Sequence, residues 1–267
     1  MRFLSTRRRH PAAKPLMLVL ALVLVGSVYA LVSPAASSSA DSNVSSQVAA
    51  GKAIFETNCS SCHGMNGEGT SQGPSLAGVG AASVDFQMGT GRMPMARPEA
   101  QAPAKRTTFT SEEVAQVAAY VATLAPGPAI PSADQYATVG LTAEQVARGG
   151  ELFRTNCSAC HNIEGRGGAL PNGSYAPSLM KSSGKHIYEA VRTGPQQMPV
   201  FSKQVMTDQD VKEIIAYLNT THSQPSDGGF ALGGLGPVSE GLWGWIIGIG
   251  GCLLAAVWLA RKGARSR

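Results

Sequence analysis

Neither end of the chain contains an acidic residue; every Asp and Glu lies between Asp41 and Glu240. Arg2, Arg7, Arg8, Arg9 and Lys14 crowd the start, and Arg261, Lys262, Arg265 and Arg267 crowd the finish. The formal net charge of +5 therefore belongs to the tails, and thirteen basic residues face seventeen acidic ones in the middle. This excludes a basic nucleic-acid-binding face, so no nucleic-acid partner is expected. Aromatic residues are few, at 6%, whereas Gly (31) and Pro (16) are frequent. Such a composition favours small, loop-rich units over one large core. A nucleophile–base constellation and a phosphate-binding loop are also missing, so no independent catalytic site is expected.

Charge is absent from two apolar runs beside the basic tails. Leu16 to Val32 covers about 25 Å at ~1.5 Å per residue, and Leu242 to Ala260 about 28 Å, against a bilayer core of ~30 Å. Trp243, Trp245 and Trp258 lie near the ends of the second run, where an interfacial aromatic belt falls. Basic flanks at the outer ends place both termini in the cytoplasm and export what lies between. The first run also has the layout of a cleaved signal peptide, with Ser33-Pro34-Ala35 or Ala36-Ser37-Ser38 as the cleavage site. Its length favours an uncleaved anchor, and either outcome exports the middle of the chain.

The exported part is one unit written twice. Val48 to His63 realigns with Val146 to His161 at a shift of 98 residues, with ten of sixteen positions identical. Thr110 to Thr123 realigns with Thr207 to Thr220. A period this long means duplicated domains, not a solenoid. Thr110 with Glu113 and Thr142 with Gln145 are capping-box patterns at helix starts. Val44, Val48, Gly51 and Phe55 share one helical stripe. Gly in mid-helix costs up to ~1 kcal/mol, and its recurrence as Gly51 and Gly149 points to a close helix crossing.

Only five cysteines are present, and four sit in Cys59-Ser-Ser-Cys62-His63 and Cys157-Ser-Ala-Cys160-His161. This is the Cys-x-x-Cys-His pattern of covalent haem c attachment. Two thiols three residues apart can bond the two vinyl groups of one haem, and the next residue, His, then reaches the iron. A thioredoxin-like motif needs a βαβ setting, which is lacking. Zinc would require both motifs to share one ion, against the self-contained repeat. A disulfide across this spacing is strained and leaves the His without a role. Cys252 lies in the second apolar run and reads as a small apolar helix residue.

The second axial ligand is expected to be a methionine, whose thioether favours Fe(II) and closes the iron to other ligands. Thr193-Gly-Pro-Gln-Gln-Met198-Pro199 aligned with Thr90-Gly-Arg-Met93-Pro94 selects Met198 and Met93. Met88 and Met95 are rivals to Met93. Pro74-Ser-Leu76 and Pro177-Ser-Leu179 recur between His and Met, where a backbone carbonyl can accept the free ring N–H of the axial His. His186 and His222 have no repeat counterpart and read as surface or loop residues.

With these motifs the chain resembles the dihaem cytochrome c subunit, or cytochrome cc, of the actinobacterial menaquinol–cytochrome c reductase, a bc1-type complex. The resemblance rests on Thr90-Gly-Arg-Met-Pro-Met95, Thr193-Gly-Pro-Gln-Gln-Met-Pro199 and Gly234-Leu-Gly-Pro-Val-Ser-Glu-Gly-Leu-Trp243. It implies Cys59, Cys62, Cys157 and Cys160 as the covalent sites of two haem c groups, and His63, Met93, His161 and Met198 as iron ligands. It also implies partners: the cytochrome b subunit, the Rieske iron–sulfur subunit and cytochrome c oxidase, in a cell membrane. A free-standing, membrane-tethered electron carrier serving a dehydrogenase or terminal oxidase is the alternative.

The expected fold is mainly α, with two tandem cytochrome c-type haem domains flanked by N- and C-terminal transmembrane helices. The expected division is a cytoplasmic basic tail (1–15), a transmembrane helix or signal anchor (16–36), a Ser-rich linker (37–47) and the first cytochrome c domain (48–125). A Pro-rich linker (126–141), the second domain (142–222), a Gly-rich juxtamembrane linker (223–240), a transmembrane helix (241–260) and a basic tail (261–267) follow.

Overall fold

The structure is a computed structural model that describes residues 13–32, 37–223 and 241–265. Expectations for 1–12, 33–36, 224–240 and 266–267 lie outside the described residues. The described part is mainly helical and carries two cytochrome c-type units. Helix α1 spans Ala13–Val32 and α2 Ser37–Asn58. Helix α2 corrects one expectation, because 37–47 is helical and not a flexible linker. No Gly or Pro interrupts Ser37 to Ala50, and extending a helix already nucleated by packing at Val48 to Phe55 costs far less than starting one.

The first unit continues with the turn α3 (Ser60–His63), α4 (Gly80–Gly89) and α5 (Ser111–Ala122). The Thr110 hydroxyl accepts from the Glu113 amide while the Glu113 carboxylate accepts from the Thr110 amide, which closes the anticipated capping box. Phe55, Val117, Ala118 and Val121 form the centre of the core, each 2% exposed or less. Helices α2 and α5 cross at Gly51, where a Cβ would collide with the Gln116 carbonyl. Beside the crossing the Phe55 and Tyr120 rings lie 5.2 Å apart.

The second unit repeats this plan with α6 (Ala143–Asn156), α7 (Ser158–His161), α8 (Gly184–Thr193) and α9 (Asp208–Ser223). Gly149 sits against the Glu213 carbonyl with no room for a Cβ, and Phe153 and Tyr217 stack 5.7 Å apart. Thr207 and Asp210 start α9 as the counterpart of the Thr110 cap, and Thr142 with Gln145 form a further capping box on α6. The second unit adds a short hairpin, β1 (Gly168–Ala169) paired antiparallel with β2 (Tyr175–Ala176).

The segment between the units is packed along both. The Ala82 amide donates to the Pro128 carbonyl at 3.0 Å, and Gln135 Nε2 donates to the Tyr188 hydroxyl at 2.9 Å and to Asp208 at 3.1 Å.

Among the described residues one helix, Gly241–Gly263, is long and apolar enough to cross a membrane. It begins with a π-helical stretch, Gly244–Ile249, and continues as α10, Gly250–Arg265. Helix α1 is apolar over Leu16 to Val32, about 25 Å at ~1.5 Å per residue against a ~30 Å bilayer core, and counts among the shorter apolar helices. Two spans are therefore more than the structure shows.

Candidate haem centres

Both Cys-x-x-Cys-His motifs fold as a single turn that continues the preceding helix. The Cys59 amide donates to Phe55 O at 2.8 Å and the His63 amide to Cys59 O at 3.0 Å. In the second unit Cys157 donates to Phe153 O and His161 to Cys157 O, both at 2.9 Å. One turn thus presents both thiols and the imidazole of each motif together. The chain then reverses through matching backbone, with φ of 81° at Gly64 against 66° at Asn162, and 90° at Gly69 against 89° at Gly167. The Gly69 amide bonds His63 O at 2.7 Å, and the Gly167 amide bonds His161 O at 2.8 Å.

That reversal brings the recurrent prolines onto the histidines. His63 Nδ1 lies 2.8 Å from Pro74 O, and His161 Nδ1 lies 3.0 Å from Pro177 O. A carbonyl can only accept, so each Nδ1 carries the hydrogen and each Nε2 keeps its lone pair. Burial lowers the His161 pKa, opposed by the Pro177 bond, and favours the neutral ring a metal requires. None of Cys59, Cys62, Cys157 and Cys160 is in a disulfide. Burial, and then the neighbouring cysteine, pushes the Cys59 and Cys157 thiols up to about 11.

Met198 is half-buried and lines a cavity of about 720 Å³ together with Cys157, Cys160 and His161. Ile187, Val191, Phe201 and Leu218 supply apolar wall. The first unit closes this cavity with Arg92 and the stretch Ala100 to Ala104. Gln101 anchors the closure: its Nε2 donates to Tyr175 O at 2.5 Å and its Oε1 accepts from the Tyr175 amide at 3.0 Å. In the first unit Cys59 and Met93 pack against the core around Phe55. Met88 is 4% exposed within that core and its counterpart Val191 is 5% exposed within the second, so Met88 reads as packing. Met93 and Met95 remain in the loop, both half-buried.

Two histidines do more than their lack of a repeat counterpart suggested. His222 Nε2 donates to Glu164 O at 3.3 Å and ties the loop after His161 to the closing helix. His186 sits at the border between units, its ring 6.1 Å from that of Phe86. Asp85 and Glu189 join it there. The available signal was a glutamate on α8 between the core positions Ile187 and Val191.

The family model described as Cytochrome c matches residues 48–125, and the one described as Cytochrome C oxidase, cbb3-type, subunit III matches residues 144–218. A protein of Mycobacterium tuberculosis named cytochrome bc1 complex cytochrome c subunit is 42% identical over 265 residues, covering 97% of this chain and 93% of that one. Proteins of the same name from Corynebacterium efficiens and Corynebacterium diphtheriae are 45% and 40% identical. They match over 80% and 95% of this chain, and 77% and 95% of their own length. The chain belongs to the family of cytochrome bc1 complex cytochrome c subunits. As a member of that family it is a cytochrome c electron carrier whose two cytochrome c domains bind haem c. The residues present fit that group: unpaired thiols, imidazoles with a free Nε2 and, in the second unit, a walled apolar cavity holding a thioether.

Proposed function

We propose that the chain is the dihaem electron-transfer subunit of a bc1-type quinol–cytochrome c reductase. It relays electrons from the Rieske iron–sulfur subunit to the terminal cytochrome c oxidase, in a complex with the cytochrome b subunit. Cys59 and Cys62 hold one haem covalently, and Cys157 and Cys160 the other. His63 with Met93, and His161 with Met198, are the axial ligands. When bound, the group supplies a one-electron Fe(III)/Fe(II) couple, which a thioether ligand biases toward Fe(II).

The chain's own residues hold, orient and shield. The carbonyls of Pro74 and Pro177 fix each imidazole in one tautomer and orientation. Arg192 NH1 donates to Phe201 O at 2.9 Å and to Met206 O at 2.7 Å, which fastens the loop that follows Met198. The stretch Ala100 to Ala104 from the first unit walls one side of the second cavity and leaves the two units in direct contact, as a two-step relay requires. The single observation that carries the reading is the same His–proline geometry built twice in a chain whose relatives bear one name.

Both apolar helices, α1 and Gly241–Gly263, span the cell membrane in this reading, with the termini cytoplasmic and the haem units outside. The acid-free basic tails support it. The test is gentle solubilisation of the membrane followed by purification on this chain. Cytochrome b and an iron–sulfur protein are expected to co-purify, and a chain that emerges alone sinks the complex. A reduced-minus-oxidised spectrum should show two low-spin c haems per chain, and carbon monoxide binding at both centres would overturn the methionine ligands.

A further inference from the structure

Helix α4 of the first unit packs on α8 of the second, and the border between them holds two carboxyl groups. Asp85 is 8% exposed and Glu189 is 0% exposed. One oxygen of each and a ring nitrogen of His186 lie within 4.8 Å of one another. Lys185 Nζ is 2.6 Å from Asp85 Oδ2, and His186 Nε2 is 3.8 Å from the same oxygen. Neither Glu189 oxygen has a hydrogen-bond donor. The other charged or titratable groups facing the cluster are Arg92, whose guanidinium stacks over Phe86, and Tyr136 from the connecting segment.

Lys185 is the cation seated on the pair, whereas the Arg92 guanidinium is turned onto Phe86, so the two carboxylates leave one negative charge without a paired cation in a buried place. His186 does not supply it, since burial lowers its pKa and keeps the ring neutral. A proton does: a protonated Glu189 donates to the Asp85 carboxylate, and both are then satisfied. Glu189 is accordingly pushed up to about 9, by burial first and by Asp85 second. A metal ion in the same place would meet the Lys185 ammonium already seated on Asp85.

The position of the pair joins this proton to electron transfer. His186, Ile187, Ala190 and Val191 line the second cavity, and Glu189 stands among them on the same helix. A unit of positive charge gained in that cavity on oxidation repels a proton nearby, and the coupling is reciprocal. We propose that the Asp85–Glu189 pair is a proton-binding site whose occupancy follows the redox state of the second unit. This rests on the haem reading of that unit. As the unit gains one electron from its donor, the pair takes up to one proton from solvent. As the electron leaves for the oxidase, the proton returns. Only the carboxyl O–H bond forms and breaks. Lys185 and His186, with side chains 32% and 22% exposed, are the solvent side of the site.

The experiment is a spectroelectrochemical titration of the full-length protein in detergent across neutral to alkaline pH. In the unaltered protein the potential of one centre should fall as pH rises toward about 9, where the pair loses its proton. Glu189→Gln, an uncharged isostere, should remove that slope while both haem spectra persist. Asp85→Asn removes the like charge and should move the slope to lower pH. Any pH dependence common to all three proteins belongs to other groups. Superimposable profiles for the unaltered protein and Glu189→Gln overturn the proposal, as does a stoichiometric metal ion lost with that substitution. A protein without c-haem absorption instead overturns the haem reading itself.

Discussion

The two haem units share a backbone plan but are held together by different forces. The first relies on an apolar core and a helix crossing, and its own ion pairs, Lys52–Glu56 and Arg97–Glu99, are short-range and exposed among the described residues. The second adds a polar frame. Arg148 pairs with Asp210 and Glu213 across α6 and α9. Asp208 accepts from the Tyr188 hydroxyl at 2.5 Å, Arg192 at 2.7 Å, Lys203 at 2.9 Å and Gln135 at 3.1 Å. These bonds gather α8, α9, the loop after Met198 and the connecting segment at one carboxylate. Both units keep a comparable apolar core, so these charge-assisted bonds add to the second unit's packing and do not replace it.

The widest expected gap between the units comes from removing an attachment site. Cys157→Ala with Cys160→Ala should cut the haem content from two per chain to one, counted by pyridine haemochrome. The first unit's spectrum should persist, and loss of both haems would show that the units are not self-contained. Arg192→Met comes next. It strips three partners from an arginine whose side chain is 8% exposed, and should destabilise the second unit by about 3 kcal/mol, read by thermal unfolding.

Gly51→Ala and Gly149→Ala probe what the units have in common. Each forces a methyl onto a backbone carbonyl, and each should cost about 1–3 kcal/mol in its own unit. A much smaller loss in one unit would show that its crossing can widen. Acid should then separate the units again. Burial works against ionisation of Asp208, but Tyr188, Lys203, Gln135 and Arg192 outweigh it and hold the carboxyl well below its ordinary value. A group with a depressed folded pKa stabilises above its unfolded value, near 3.8 for this residue, and that contribution is lost as pH falls through the folded pKa. Asp208→Asn should flatten this part of the second unit's acid unfolding curve and leave the first unit unchanged. The smallest effect is expected from Thr110→Ala and Thr142→Ala, at about 1 kcal/mol each for a lost cap. The two caps start different helices, α5 and α6, and each loss is read in its own unit by thermal unfolding.

What could be read from the sequence was what the chain repeats. The crossing glycines, the Cys-x-x-Cys-His motifs and the proline carbonyls each occur twice, and duplication separated them from chance. The helix over 37–47 was hidden because serine-rich composition reads as a tether, whereas the packing that sustains the helix lies downstream at Val48 and Phe55. The border between the units was hidden for the opposite reason. Glu189 and His186 have no counterpart in the first unit, and Gln101 meets Tyr175 of a hairpin that only the second unit possesses. Such contacts depend on how two units dock, which no local pattern encodes. The first apolar run read as a span by its lack of charge, whereas among the described residues one helix, Gly241–Gly263, is long and apolar enough to cross a membrane.

The wall that Ala100 to Ala104 contributes to the second cavity also bears on how the protein is made. The first unit leaves the ribosome before the second, so the wall exists before the cavity that it will close. Docking of Gln101 on Tyr175 therefore waits on the hairpin of the second unit, and the wall is complete only once both units have folded.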